Sequence, residues 1–209
     1  MRNDLRERLI IIGASGHGKV VADIALKMNK WKEIAFLDDD EQRKSALGFD
    51  VVGESKDVTN YIDNSDIVVG IGNNEIRQNV QSKVEKIGAS VPVLIHPNAV
   101  VGEVVEFGAG SVVMAGVVIN CSTRIGKGCI INTSASVDHD NVIEDFVHVS
   151  PGVRLAGSVR IGQNTWLGIG SLVINNVEIT KACIIGAGSV VVKAIKETGT
   201  YVGVPARRV

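Results

Sequence analysis

The chain has 209 residues, 45% of them apolar and 22% charged, and its 22 Lys and Arg nearly balance its 23 Asp and Glu. That balance leaves no basic stripe for nucleic acid, no apolar run is long enough to span a membrane, and the opening MRNDLRERLIII lacks the apolar core of a signal peptide, so a cytoplasmic location is expected. Cys121, Cys129 and Cys183 show neither CxxC nor Cys/His spacing, which argues against a disulfide framework and against a bound metal.

Residues 1–95 alternate between strand and helix patterns. An apolar run at residues 9–12 predicts a first strand, GASGHGK at residues 13–19 a turn, and the pattern after it a helix to about Lys30. Glu33–Leu37 predicts a second strand, ending in Asp38, Asp39 and Asp40. Residues 66–71 predict a third, ending in Gly72, Asn73 and Asn74, followed by a helix from residue 75 to about 87 and a short fourth strand at 91–95. Such alternation predicts a small parallel, Rossmann-like α/β sheet.

The turn spells G-x-x-G-x-G, not the dinucleotide fingerprint G-x-G-x-x-G. Its placement carries more weight. It follows a strand and opens a helix, where free backbone N–H groups and the helix dipole favour a phosphate. Gly13, Ser15, Gly16, His17, Gly18 and Lys19 are therefore candidate substrate contacts. Asp38 and Asp39 end the next strand, a position from which a carboxylate commonly holds a ribose hydroxyl. Gly72 and Asn73 complete the set. The alternative is a tight turn beside a solvated acidic loop. The sheet is too small for a whole NAD, so a nucleoside diphosphate is the expected ligand.

From Val101 through Val191 an aliphatic or Phe residue falls at every sixth position, sixteen times without an insertion, and Ile95 extends the series backward. The position four later is mostly small or β-branched, as at Ser111, Thr123, Cys129, Ala135, Thr165, Ser171, Cys183 and Ser189. An α-helix would scatter such a period around its surface. A short strand plus a turn fits it, and three such units close a triangular coil, giving roughly five stacked coils. Gly and Asn supply the corner conformations that other residues resist.

The pattern aliphatic-Gly-x-x-small-x, seen at Ile125-Gly126, Ile161-Gly162 and Ile185-Gly186, resembles the hexapeptide-repeat acyltransferases. The resemblance implies a left-handed parallel β-helix over residues 96–209, a homotrimer, and acetyl-CoA in the groove between neighbouring chains. Within that group, GASGHGK, FLDDD, IGNNEIR and the closing VGVPARR look like the nucleotide-sugar acetyltransferases of the bacillosamine pathway and the related sialic-acid acetyltransferases. This resemblance spans nearly the whole chain. It implies a UDP-sugar on residues 1–95 and acetyl-CoA on the β-helix.

Acetyl transfer to an amine needs a base, donors for the acyl oxygen and a fixed CoA. His139 lies in SVDHDN at the third position of its hexad, a corner that points out of the coil, between Asp138 and Asp140. From spacing alone it is as readily a surface His beside acids as a base. The resemblance makes His139 the base and the acid after it a partner. Many relatives have Glu where this chain has the shorter Asp140. It further implies that His148 lies near the acetyl group and that Gly157 offers its N–H to the thioester oxygen. Asn132 and Asp138 would face the substrate. Ile169, Ala187, Val202, Pro205 and Arg207 would follow the CoA. Without the resemblance, His148 reads as a structural corner residue and Arg207 and Arg208 as solvated. His17 reads as a phosphate or sugar contact, and His96, before Pro97, as structural.

The expected activity is direct transfer from acetyl-CoA to the 4-amino group of a UDP-linked amino-deoxysugar (UDP-2-acetamido-4-amino-2,4,6-trideoxyhexose). Cys129 and Cys183 occupy small-residue slots and should be buried, which argues against an acetyl-cysteine relay. The alternatives are a GDP-amino-sugar N-acetyltransferase, a sialic-acid O-acetyltransferase, and a non-enzymatic β-helix scaffold that binds a nucleotide sugar. The His139-Asp140 pair argues against the last.

Overall fold

The computed structural model describes residues 7–209, and the chain divides into two compact units with the boundary between Pro97 and Asn98. In the first unit β1 (Arg8–Ile12), α1 (Gly16–Met28) and β2 (Glu33–Leu37) precede a hairpin of β3 (Ser45–Ala46) and β4 (Phe49–Asp50). A 3₁₀ turn at Ser55–Asn60, β5 (Ser65–Val69) and α2 (Asn74–Lys86) follow. β1 lies between β2 and β5 and parallel to both, with Ile10 opposite Ala35 on one side and Ile67 on the other. After polar first residues at Arg8, Glu33, Ser65 and Asp66 the strands run apolar, as suits a parallel sheet covered on both faces. Leu9, Ile10, Ile11, Phe36, Leu37, Ile67 and Val68 are fully buried.

Three details depart from the expected elements. The β3–β4 hairpin turns at Leu47 and Gly48, with φ of 52° and 80°, a twist that suits paired strands but that a Leu does not advertise. The strand expected over residues 66–71 stops at Val69. Of the fourth strand expected at 91–95 only Leu94–Ile95 is a strand, and it does not join this sheet, which gains an isolated bridge between Asp66 and Ser90 just before the expected start.

β5 stops early because Gly70 meets another backbone. A Cβ on Gly70 would lie 2.7 Å from Gly18 Cα, and one on Gly18 would lie 1.9 Å from Gly13 O. The three glycines let the ends of β1 and β5 and the start of α1 touch main chain to main chain. Gly18→Ala is expected to destabilise this unit by about 1–3 kcal/mol, since the obstacle is a carbonyl and not a flexible side chain. Urea unfolding checks this, with Gly16→Ala as control, because a Cβ there meets nothing within 4 Å.

In the second unit two-residue strands recur every sixth residue from Val100–Val101 to Val190–Val191. Each pairs in parallel with the strand one coil later, as Ser136 with Arg154 and Val137 with Leu155. Three ladders result. The first face starts its strands at Val100, Val118, Ser136, Arg154, Leu172 and Val190; the second at Glu106, Arg124, Val142, Arg160 and Glu178. The third starts them at Val112, Ile130, His148, Trp166 and Ile184, and continues beyond the hexads with Thr200–Val202. The second residue of each strand faces inward. From Val113 to Val191 every one is at most 2% exposed, whereas Val101 and Phe107, at the start of the stack, are not buried.

The corners repeat one backbone geometry. Every sixth residue from Val104 to Gly188 has φ between 53° and 75°, the left-handed region. Nine of these fifteen are not Gly. Asp140, Asn164 and Asn176 are types that tolerate it, whereas Val104 is not. The small-residue slots stitch coil to coil. Ser111 Oγ donates to Gly126 O (2.6 Å) and accepts from Cys129 N (2.9 Å). Thr123 Oγ1 does the same with Asp138 O (3.0 Å) and Asn141 N (3.4 Å), and Thr165 Oγ1 with Thr180 O (3.1 Å) and Cys183 N (3.3 Å). These bonds satisfy peptide groups that the corner hides from water. Cys129 and Cys183 are buried in such slots, and Cys121 is exposed. Among the described residues no helix is long and apolar enough to cross a membrane.

Candidate active site

His139 and Asp140 form the corner between the first and second faces. Asp140 takes the left-handed position, with φ of 58°, which Asp accepts more readily than Glu. Its shortness is no obstacle: Asp140 Oδ2 lies 2.8 Å from His139 Nδ1. A carboxylate there fixes the proton on Nδ1 and leaves the Nε2 lone pair free to accept one. The hydrogen bond to Asp140 raises the His139 pKa above its ordinary 6.5, and the charges of Asp138 and Asp140 add to it. Asp138 Oδ1 accepts from Asn120 Nδ2 (2.8 Å) and from the His139 N–H (2.9 Å), and these bonds hold its carboxyl below the usual range.

Gly157 occupies the same corner one coil later. A Cβ on it would lie 2.6 Å from both Cε1 and Nε2 of His139, so the imidazole rests in space that only glycine leaves open. Ser158 N donates to His139 O at 2.9 Å and ties the two corners together.

His148 points outward from the third face. Asn132 Nδ2 lies 3.2 Å from its Nε2, and Trp166 stacks on its ring at 6.0 Å and 17°. Trp166 Nε1 donates to Ser150 Oγ at 2.8 Å. Within one coil, the second face, here strand Val142–Ile143, separates this group from His139 and Gly157. Ile169 and Ala187 lie one coil apart on the corner between the third and first faces, both exposed. Val202 packs over Gly186, where a Cβ would lie 2.7 Å from Val202 Cγ1. It leads through exposed Pro205 to the antiparallel pair Arg207–Arg208. Arg208 is tied to Glu197 Oε2 (2.7 Å) and Thr198 O (3.2 Å). Arg207 donates to Ala206 O (2.9 Å) and pairs with no acid among the described residues.

In the first unit Gly13 takes φ of 99° and donates to Leu37 O at 2.7 Å. Asp38 Oδ2 accepts from Ala14 N (2.6 Å) and Oδ1 from Asp40 N (3.0 Å), so this carboxylate clamps the glycine loop. Asp39 receives both Ser55 N (2.7 Å) and Ser55 Oγ (2.9 Å). Each acid read in the sequence as a ribose ligand thus already accepts hydrogen bonds from the protein. Ser15 is the N-cap of α1 but makes no side-chain capping bond, and no acid occupies the first turn, so the helix end stays positive. Ser15, Gly16 and Lys19 are exposed there, Gly18 is buried, and His17 is half-buried with its Cβ facing Gly72.

Asn73 turns out to cap α2, its Oδ1 accepting from Ile76 N at 3.0 Å. The sequence reading overlooked Arg77 and Gly70. Arg77 is 1% exposed and donates to Ile71 O (3.2 Å), Gly72 O (2.9 Å) and Asn74 Oδ1 (2.8 Å), which fixes the loop after β5. Its signal was the Arg that closes IGNNEIR. A cavity of about 220 Å³ lies at the carboxyl ends of β1 and β2, lined by Gly13, Asp38, Asp39, Ser55, Ile71 and Ile76 among others. His96 is 6% exposed. Among the described residues no cluster of His, Cys, Asp and Glu could hold a metal.

Two family models match the sequence: the PglD N-terminal domain over residues 8–84 and the bacterial transferase hexapeptide (six repeats) over residues 158–193. The GDP-perosamine N-acetyltransferase of Escherichia coli O157:H7 is 30% identical over 183 residues, covering 85% of this chain and 82% of that protein. Among solved structures, the acetyltransferase domain of PglB from Neisseria gonorrhoeae FA1090, in complex with acetyl coenzyme A, is 40% identical with a TM-score of 0.94. The match covers 97% of this chain and 99% of that one. PerB from Caulobacter crescentus, in complex with CoA and GDP-perosamine, is 38% identical with a TM-score of 0.91, covering 96% of each chain.

Proposed function

The chain belongs to the hexapeptide-repeat sugar N-acetyltransferases that carry a PglD N-terminal domain, and from that membership, together with the resemblance of GASGHGK, FLDDD and IGNNEIR to the bacillosamine-pathway enzymes, we propose that it acetylates the 4-amino group of a UDP-linked amino-deoxysugar. Its coil is the left-handed parallel β-helix of that family, an exception to the usual right-handed crossover. The observation that carries the proposal is His139, bonded to Asp140 and seated against Gly157. His139 Nε2 takes the proton from the sugar amine, Asp140 orients the ring, and the Gly157 N–H meets the oxygen that gains charge. Acetyl-CoA supplies the acetyl group as a thioester: the amine nitrogen bonds to the carbonyl carbon, the C–S bond breaks as the tetrahedral intermediate collapses, and the CoA thiolate leaves with the proton that His139 took from the amine. The coil suits acetyl-CoA: Ile169 and Ala187 offer an apolar edge for the pantetheine, and the guanidinium of Arg207, paired with no acid among the described residues, offers a phosphate partner.

The positive start of α1 and the glycine loop suit the diphosphate, with Ser15, His17 and Lys19 beside it and Gly72 lining the approach. Asp38 acts by holding the loop, and Asp39 beside Ser55 reaches the nucleoside. Asp38→Ala is expected to raise KM for the nucleotide sugar several-fold while KM for acetyl-CoA changes little. An equal rise for both would remove this assignment.

A neighbouring chain completes the acetyl site in this reading, because His148 and Asn132 stand a full face away from His139. The outer surfaces are consistent with such assembly. The second face is charged, with an Arg124–Glu106 ion pair at 2.9 Å, whereas Val118, Leu172, Trp166 and Ile184 on the other two are 37–48% exposed. We take the assembly to be a homotrimer working in the cytoplasm. GDP is the second reading of the nucleotide, favoured by the two perosamine relatives. Acetyl-CoA consumption against a panel of UDP- and GDP-linked 4-amino-sugars, with sialic acid as a control, tests the proposal. Turnover of none of the amino-sugars would refute it.

A further inference from the structure

Asn141 fills the slot four residues after Val137, and its side chain is fully buried. Two of its contacts are ordinary for this coil. Nδ2 donates to Ala156 O (3.0 Å) and Oδ1 accepts from Val159 N (3.1 Å), the two peptide positions that Thr123 and Thr165 bridge with a hydroxyl in their own coils. Two others are not. Nδ2 also donates to Asp138 O (2.6 Å) and His139 O (3.3 Å), the carbonyls on either side of the His139 α carbon. The coil itself does not need an Asn here. The next slots along the same corner are Val159 and Val177, both buried.

The Ala156 carbonyl belongs to the peptide whose N–H is that of Gly157. In a trans peptide the two groups point opposite ways. A donor that holds Ala156 O from inside the coil therefore turns the Gly157 N–H outward, and it polarises that N–H as well. No protein acceptor among the described residues takes the Gly157 N–H.

We infer that Asn141 is a positioning residue for acetyl transfer: one buried carboxamide sets the turn that presents His139 and the peptide that presents the Gly157 N–H. This rests on the roles proposed above for those two residues.

Asn141→Thr in the full-length enzyme separates this role from packing. Thr keeps the bridge to Ala156 O and Val159 N, as Thr123 does for its coil, and removes the carboxamide from the carbonyls flanking His139, which leaves Asp138 O to Thr123 Oγ1 and His139 O to Ser158 N alone. The expected result is a kcat about 10–100-fold lower, the scale of a misplaced reacting group, with KM for both substrates, assembly and Tm nearly unchanged. In a His139→Ala background the same substitution should cost almost nothing further, because its effect runs through His139. A kcat within about twofold of wild type would overturn the inference. So would an equal loss in both backgrounds, or a loss that follows unfolding in both Asn141→Thr and Asn141→Ser. Wild-type kcat in His139→Ala removes the base reading and this inference with it. A full loss there beside an unaffected Asn141→Thr removes only the inference.

Discussion

Replacing His139 with alanine is expected to lower kcat by about 10²–10⁴-fold, the usual worth of a general base, with KM for acetyl-CoA nearly unchanged. The side chain sits exposed on a corner, so its loss should leave the coil folded. The pH profile identifies the group. Only neutral imidazole accepts a proton, and the bond to Asp140 holds the imidazolium above its ordinary value of 6.5. The rate should therefore fall as pH drops through a point above that value. Asp140→Asn removes the carboxylate and should move the limb toward lower pH. A His139→Ala enzyme with near wild-type turnover, or a limb unmoved in Asp140→Asn, would reject the base. The route should be direct. Burial pushes the Cys183 thiol up, and Cys129 Sγ is held by Glu144 O at 3.1 Å, so neither is a ready nucleophile. Mass spectrometry of the enzyme with acetyl-CoA alone should find no acetyl-cysteine.

Gly157→Ala is expected to lower kcat by about 10²-fold with little change in Tm. The added methyl would lie 2.6 Å from the imidazole, well inside the roughly 3.5–4.0 Å at which carbon atoms rest against one another. Gly157 is not among the residues with positive φ, so alanine meets no backbone penalty and the effect is one of space. The obstacle is the end of a mobile side chain. The ring swings away and the fold survives, so activity is lost and stability kept. Parallel kinetics and thermal unfolding of the variant check this, and unchanged kcat would place the ring elsewhere during turnover.

The coil was legible because its signal is a side-chain period, and each inward residue declares itself by being aliphatic. The corner conformation was legible only in part. Gly and Asn mark it, but Val104 and Phe146 take the same left-handed geometry with no sign in their chemistry, since the ladders on either side impose it. His139 could be placed on a corner from its hexad position, and its bond to Asp140 follows from the turn that the two share. Asn141 could not be read. In one dimension it is another small polar residue in a slot, and its partners at 138, 139, 156 and 159 meet only when two coils stack. Asp38, Asn73 and Arg77 were hidden for a similar reason. Asp38 and Arg77 satisfy loop backbone that no pattern brings to their side, and Asn73, read as a substrate contact, spends its Oδ1 on the Ile76 N–H of α2.

The ladders pair each strand with the one eighteen residues on, without a single bulge from Val100 to Val191. The meeting of His139 with Gly157 is thus a product of chain length. One residue inserted between His139 and Gly157 would turn every later side chain inside out, burying charge and exposing the aliphatic column. A whole eighteen-residue block elsewhere in the stack would leave each face where it was. The molecule can grow or shrink only in steps of one coil, as a spiral stair changes height only by whole turns if its landings are to stay aligned.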